Sequence, residues 1–336
     1  MKRLLLFSCL ATLATGSVRA QHEHHEMMHK TAAGVQLEVT NDTASHVLLL
    51  RVGPLDLPAH SGHMAVAQAP QQFWVVPFDG WLVAYHPRLV DGAGKPEPGR
   101  LLHHVAFWNT RRSDFLCPNK QEHIFGSGGE LNDWPRIPGY GYRVAKGDRI
   151  RINTMFHNPT DLSYPRTYLE MRIEYQLVTP GGTALKSIYP SWFDVMECGQ
   201  SAYDLRPGMN VTSGEFTLRY SGTLLGVGGH LHDYGRHLIL EDLTRTERVA
   251  ELEAKLDAQG HLVSMPVVNL YGPSAKVGSG KQELGYRLNA GERVRITAAY
   301  DNPTGKVLPE GAMGIVVGYF APDNDTQMAA LRRRDK

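Results

Sequence analysis

The sequence predicts an all-β protein built as two tandem jelly-roll β-sandwich domains related by internal duplication. Three observations predict it. First, residues 141–160 match residues 285–304 at a constant offset of 144, with ten of twenty aligned positions identical. Both copies carry Gly-Tyr-Arg, a Gly-acid-Arg turn and a closing Asn-Pro-Thr (Asn158, Pro159, Thr160 against Asn302, Pro303, Thr304), and a repeat at fixed spacing signals a repeated structural unit. Second, Arg149, Ile150, Arg151, Ile152 and Arg293, Val294, Arg295, Ile296 alternate polar and apolar, as half-buried strands must. Third, 34 Gly and 20 Pro punctuate the chain, which favours many short strands over long helices.

The elements follow in chain order. Met1, Lys2 and Arg3 make a basic start, residues 4–13 are mostly apolar, and Val18, Arg19 and Ala20 end on small residues at the cleavage positions. Residues 1–20 therefore read as a secretory signal peptide, too short to span a bilayer. Residues 21–34 read as a His- and Met-rich disordered tail, and such a tract can capture copper. The first sandwich covers 35–179 and ends at the turn-rich Thr179, Pro180, Gly181 and Gly182. The second covers 180–323, and 324–336 is a disordered tail. Strands are expected at 47–52, 73–77, 81–85, 105–108, 149–152, 170–178, 216–220, 238–240, 293–296 and 314–320. Asn-Pro-Thr stops a strand in each half because proline cannot donate to a ladder. Residues 244–256 are the one plausible helix, with a loop and short strand as the alternative.

Composition and charge exclude several functions. The whole chain has 35 Lys+Arg and 34 Asp+Glu, for a net charge of +1. Without the signal it carries 32 basic and 34 acidic residues, net −2, which is no footprint for nucleic acid or an anionic membrane. No later run reaches the ~18 apolar residues of a transmembrane helix, so no membrane span is expected. The protein is expected to be secreted or periplasmic. Cys117 and Cys198 then remain, either as one disulfide or as two thiols, and two thiols alone make neither a closed zinc site nor an iron–sulfur cluster. Gly-x-Ser-x-Gly, P-loop, dinucleotide and His-Glu-x-x-His motifs are absent.

The chemistry lies in sixteen histidines and in methionine sulfur. His230 and His232, after Gly228 and Gly229, share one face of a strand and can meet one metal, and the two glycines leave room for close approach. His103 and His104 are adjacent, so on a regular strand they point to opposite faces. A shared metal there needs a bulge, a strand end or a strong twist. Met313 opens a strand in the second half, and a thioether beside imidazoles selects copper, particularly Cu(I). A lone methionine is otherwise core filler. His60 and His63, close to Met64, read as loop residues.

These residues, in this order, resemble the copper type II ascorbate-dependent monooxygenases, the family of peptidylglycine α-hydroxylating monooxygenase and dopamine β-monooxygenase. The resemblance runs from about Phe73 to Phe320. Its motifs are residues 81–85 leading to His103 and His104, then Arg143 to Pro159, then His230, Leu231 and His232, then Tyr300 and Asp301 through Glu310, Gly311, Ala312 and Met313 to Tyr319. It implies two separated mononuclear coppers, one in each domain. His230, His232 and Met313 match the oxygen-activating site, and His103 and His104 match two of three ligands of the electron-transfer site. The family's third histidine is replaced by Met155, so either Met155 or His157 completes the site, or the site is degraded. Gly228 stands where the peptide-amidating member has a carboxylate-binding arginine, and Ile315 and Val317 replace its Asn and Tyr. A carboxylate would lack its bidentate cation, so an apolar or phenolic substrate is expected.

The resemblance implies an exported copper monooxygenase that hydroxylates a C–H bond with O₂ and an external reductant such as ascorbate. Its partners would be a small-molecule substrate, the reductant and a copper donor or acceptor protein. The alternative is a non-catalytic periplasmic copper-binding protein on the same fold, serving storage, delivery or resistance.

Overall fold

The computed structural model describes residues 30–182, 184–271, 285–328 and 331. The segment expected to be a signal peptide, 1–20, and residues 21–29 of the expected tail lie outside them. In the first half the strands are β1 (Gln36–Asp42), β2 (Val47–Leu57), β3 (Gln72–Val75), β4 (Gly80–Val90), β5 (Leu102–Ser113), β6 (Gln121–Gly128), β7 (Tyr140–Val144), β8 (Arg149–Phe156), β9 (Tyr164–Leu177) and β10 (Lys186–Ser187). They form a six-stranded sheet, β1-β2-β9-β4-β7-β10, and a four-stranded sheet, β3-β8-β5-β6. All pairs are antiparallel except β10 with β7. Leu48, Leu50 and Ile173 of one sheet share a core with Phe107, Ile150 and Ile152 of the other.

The second half holds β11 (Tyr189–Asp194), β12 (Tyr203–Leu205), β13 (Gly208–Thr217), β14 (Gly222–Leu231), β15 (Gly235–Asp242), β16 (Glu247–Glu253), β17 (Lys255–Leu256), β18 (Leu262–Ser264), β19 (Val267–Asn269), β20 (Tyr286–Leu288), β21 (Arg293–Asn302), β22 (Leu308–Ala312) and β23 (Gly314–Pro322). One sheet runs β11-β23-β14-β19, with β20 also on β14, and faces β13-β21-β15-β16. Two ribbons, β12-β22 and β17-β18, complete it. The described residues are nearly all β, as the alternation predicts.

The repeated Asn-Pro-Thr segments do the same work in both halves. Asn158 donates to the carbonyls of Leu57 and Leu162 and accepts from Thr160 N and Oγ1. Asn302 donates to Leu205, Arg206 and Lys306 and accepts from Thr304 N and Oγ1. Both asparagines are buried, so each closes a strand end without leaving an unmade hydrogen bond.

Three expectations change. Residues 244–256 form β16 and β17 rather than a helix. Asp242 caps the preceding turn at Thr244 and Arg245, and the buried Ala250 and Leu252 alternate with the exposed Glu251 and Glu253, which gives β16 a strand's pattern against β15. Residues 30–34 are not a free tail, because Lys30 and Ala32 bond the backbone of Gln68. The C-terminal segment is not free either: a helical turn, α1 (Asp325–Met328), buries Met328, and Leu331 is buried beyond it.

The two halves are docked tightly. Cys117 and Cys198 are disulfide-bonded across the junction, with Cα atoms 5.5 Å apart. Trp134 packs edge-on to Tyr319 at 4.9 Å, and Phe115 stacks on Phe320 at 5.2 Å. Asn132 Nδ2 donates to the Gly229 carbonyl at 3.0 Å. Leu225, Ile315 and Val317 of the second half join the core of the first.

Candidate metal centre

A bulge sets the histidine pair. On β5, Leu102 pairs with Phe156 but His104 pairs with Met155, so one extra residue sits on β5 between them. His103 is thereby turned out of the regular alternation. It faces a recess between the two halves that is also lined by His63, His157, His230 and His232. His104 faces a second recess with His230 and Met313.

The resemblance implies two separated ligand groups, but the structure brings them together. The His103 ring lies 4.7 Å from His232, 5.1 Å from His157 and 5.2 Å from His104, between centroids. His230 and His232 are 5.5 Å apart with near-perpendicular rings. Leu231 between them is buried in the core of the second half, so the two imidazoles share the opposite side of β14. Close docking of the halves, held by the disulfide and the aromatic pairs, closes the gap between the groups.

Met155 and His157 are separated by the end of β8. His157 lies beyond the strand, with its amide bonded to the Leu101 carbonyl, and lines the first recess. Met155 stays on β8 as the cross-strand neighbour of His104. The glycines before His230 make room for core side chains rather than for a ligand. A Cβ on Gly228 would meet Trp134 at 3.0 Å, and one on Gly229 would meet Met265 at 2.6 Å.

Two residues position these ligand segments: Glu130, which carries no signal of its own in the sequence, and Tyr300, which lies in one of the motifs of the resemblance. Glu130, from the first half, has a side chain only 1% exposed and accepts from His230 Nδ1 at 3.1 Å and from the Gly128 amide at 2.7 Å. A carboxylate can only accept, so Nδ1 carries the hydrogen of that bond and Nε2 is the ring nitrogen left to face a metal. Tyr300 ties the two ligand segments of the second half together. Its hydroxyl accepts from the His232 amide at 2.9 Å and the Met313 amide at 3.1 Å, and donates to the Met313 carbonyl. The last β14–β23 pair is Leu231 with Gly314, which brings His232 alongside Met313.

The electrostatics keep three of the imidazoles neutral. Burial, then the neighbouring imidazoles, hold His103 and His232 far below the ordinary histidine range. Burial pushes His157 down to about 4. Neutral imidazole is the form a metal requires. Nε2 of both His230 and His232 is buried without a hydrogen-bond partner. An orphaned buried acceptor is costly, and a metal at ~2.0–2.1 Å would satisfy it in less space than a water. Imidazole with thioether suits copper. Among the described residues, no three His, Cys, Asp or Glu side chains stand grouped to hold a metal ion as they are. The donors fit copper by type and protonation, while the rings pack against one another.

The second recess has a volume of about 180 Å³ and is walled by Trp108, Trp134, Trp192, Ile315 and Val317, with His123 stacked on Trp192 at 4.1 Å. No Lys or Arg lines it. His123 also bonds Asp114 through Nδ1 at 3.3 Å. The sequence reading did not single out His123 or the three tryptophans, because three different strands and a loop deliver them.

The chain is similar to two fungal proteins whose names match this donor set. It is 24% identical over 247 residues to the probable copper-dependent oxygenase M1 of a Phoma species, covering 67% of this chain and 58% of that protein. It is 24% identical over 245 residues to the probable copper-dependent oxygenase clz3 of Cochliobolus lunatus, covering 67% of this chain and 73% of that protein. The chain thus spans a little over half the length of the first. The class these names support is copper-dependent oxidation; they do not single out the ascorbate-dependent family. No family model matches the chain. The major capsid protein P2 of bacteriophage PM2 aligns over 82% of this chain and 98% of its own, with 11% identity and a TM-score of 0.30, too low to bear on fold or function.

Proposed function

We propose that this protein is an exported copper-dependent monooxygenase that hydroxylates a C–H bond with O₂ and an external reductant such as ascorbate. The observation that carries it is the pair of buried, unpartnered Nε2 atoms on His230 and His232, beside the Met313 segment and among neutral imidazoles. Similarity to proteins named copper-dependent oxygenases supports the same chemistry. His230, His232 and Met313 would hold one copper, and His103 and His104, with Met155 or His157, another. Copper bound by such ligands supplies one-electron redox chemistry with O₂.

The chain's own residues do the rest. Glu130 holds the His230 ring so that Nε2 faces away from the carboxylate. Tyr300 sets the spacing of His232 and Met313. The tryptophan-walled recess takes an uncharged apolar or phenolic substrate next to His104, His230 and Met313, since it offers a carboxylate no cation. An apolar cavity of roughly 150 Å³ is already large enough for benzene, so one substituted ring fits. The Cys117–Cys198 bond supports an oxidising, secreted or periplasmic setting, where a donor protein would deliver copper.

The test is ascorbate-driven O₂ uptake by copper-loaded protein with a panel of apolar and phenolic compounds. Uptake that requires both copper and substrate, and that is lost in His230→Ala, is expected. Copper binding without uptake on any compound would instead favour the non-catalytic storage or delivery role.

A further inference from the structure

We infer that His123 is the residue of the tryptophan-walled recess that recognises a hydroxyl group, so that the recess takes a phenol and not a plain hydrocarbon. This names the substrate class of the copper-oxygenase reading above and rests on it. Trp108, Trp134 and Trp192 give the recess large aromatic walls, which suit one flat ring. Most of its polar lining is engaged elsewhere. Ser127, Glu130 and Asn132 make hydrogen bonds within the protein, and Ser201 bonds Asp194. His104 and His230 are ligands in the copper reading. His123 remains, with a side chain 14% exposed.

The His123 ring is held on three sides. It stacks on Trp192 at 4.1 Å, with an interplanar angle of 19°. Its direct cross-strand partner is Trp108, whose ring lies 5.4 Å away. On the third side Nδ1 lies 3.3 Å from Asp114 Oδ2. Asp114 is itself fixed, because it is buried and its Oδ1 accepts from the Leu116 and Cys117 amides, each at 2.9 Å. A carboxylate only accepts, so Nδ1 carries the hydrogen of that bond and Nε2 is the nitrogen left for a ligand. In the neutral ring Nε2 is an acceptor, and a phenolic O–H is the donor that matches it. A hydrocarbon in the same space would displace water from Nε2 and offer no hydrogen bond in return. A site built to bond a hydroxyl therefore discriminates strongly against the analogue that lacks one.

The test is equilibrium dialysis of the whole protein against 4-methylphenol and against toluene, which differ by the hydroxyl alone. It is run without copper, so that no phenolate can coordinate the metal, and repeated with copper. Wild type is compared with His123→Phe, which keeps a ring against Trp192 but no nitrogen, and with His123→Gln, which keeps an acceptor. Wild type is expected to bind 4-methylphenol at least about tenfold more tightly than toluene. In His123→Phe that preference should vanish through weaker phenol binding, with toluene unchanged, and His123→Gln should keep part of it. Equal binding of the two compounds by wild type, or equal weakening of both in His123→Phe, overturns the proposal alone. Binding of neither compound overturns it together with the recess as the substrate site. A phenol preference in a protein that takes up no O₂ with any compound supports the role of His123 and overturns the oxygenase reading. If both variants unfold, nitrogen-15 resonances of the wild-type histidines decide: a shift at His123 Nε2 with 4-methylphenol but not toluene supports the assignment, and no shift overturns it.

Discussion

Single side chains hold this centre in place, and two of them make sharp predictions. Tyr300 supplies one hydroxyl to three backbone groups of the His232 and Met313 segments. Tyr300→Phe removes that hydroxyl and leaves two amides unpaired, at a cost of about 1–3 kcal/mol each at most. Urea unfolding is expected to show a loss of about 2–3 kcal/mol, and chelator competition a copper affinity lowered about tenfold. Glu122 is the second case. It is fully buried, accepts from Tyr142 and lies 3.7 Å from Arg112, which Asp148 shares at 3.6 Å. Burial pushes the Glu122 carboxyl up to about 7, against the downward pull of Arg112 and Tyr142. Between its unfolded value near 4.5 and about 7, the folded protein binds a proton that the unfolded chain has released. Stability therefore falls as pH rises through that window and levels off above it, by on the order of 3 kcal/mol. In Glu122→Gln that part of the slope disappears, which urea midpoints measured from pH 4.5 to 8 would show.

At the scale of elements, the centre depends on how closely strands approach. The bulge on β5 sends His103 and His104 into different recesses. The end of β6 must pass close to β14, and Gly128 permits it. A Cβ there would lie 2.5 Å from His230 Cε1 and 2.7 Å from Glu130 Oε2. Gly128→Ala should therefore push apart the Glu130–His230 pair while leaving both sandwiches folded. We expect copper affinity to drop about 10–100-fold, the range for losing an outer-shell partner, with a circular dichroism spectrum like wild type. A spectrum and an affinity both unchanged would show that the strand can shift at no cost.

For the whole molecule, the candidate centre depends on the docking of the two halves. Glu130 and His230, His103 and His232, and Trp134 and Tyr319 are all contacts between them. The Cys117–Cys198 bond spans a sequence separation of 81, which constrains the unfolded chain by ~4 kcal/mol on the loop-entropy estimate. In Cys117→Ser/Cys198→Ser the thermal midpoint should fall, and copper binding should weaken with it. Equal copper affinity in the double variant would mean that the aromatic contacts alone hold the halves in register.

Local sequence pattern was enough to read the β architecture. Alternation in 149–152 and 293–296, and the Asn-Pro-Thr stops, are local patterns that a strand imposes on its own residues. His230 and His232 were legible for the same reason, since two residues two apart share a face wherever the strand lies. Residues 244–256 were ambiguous because their polarity suits a helix, and only pairing with β15 selects the strand. The tertiary structure alone decided which donors meet. Glu130, His63 and His123 lie about 100, 40 and 70 residues from His230, His103 and Trp192, which they face, and spacing along the chain says nothing about contacts made by docking. It also decided that the two histidine groups share one junction, because that follows from how the sandwiches pack and not from either sandwich alone.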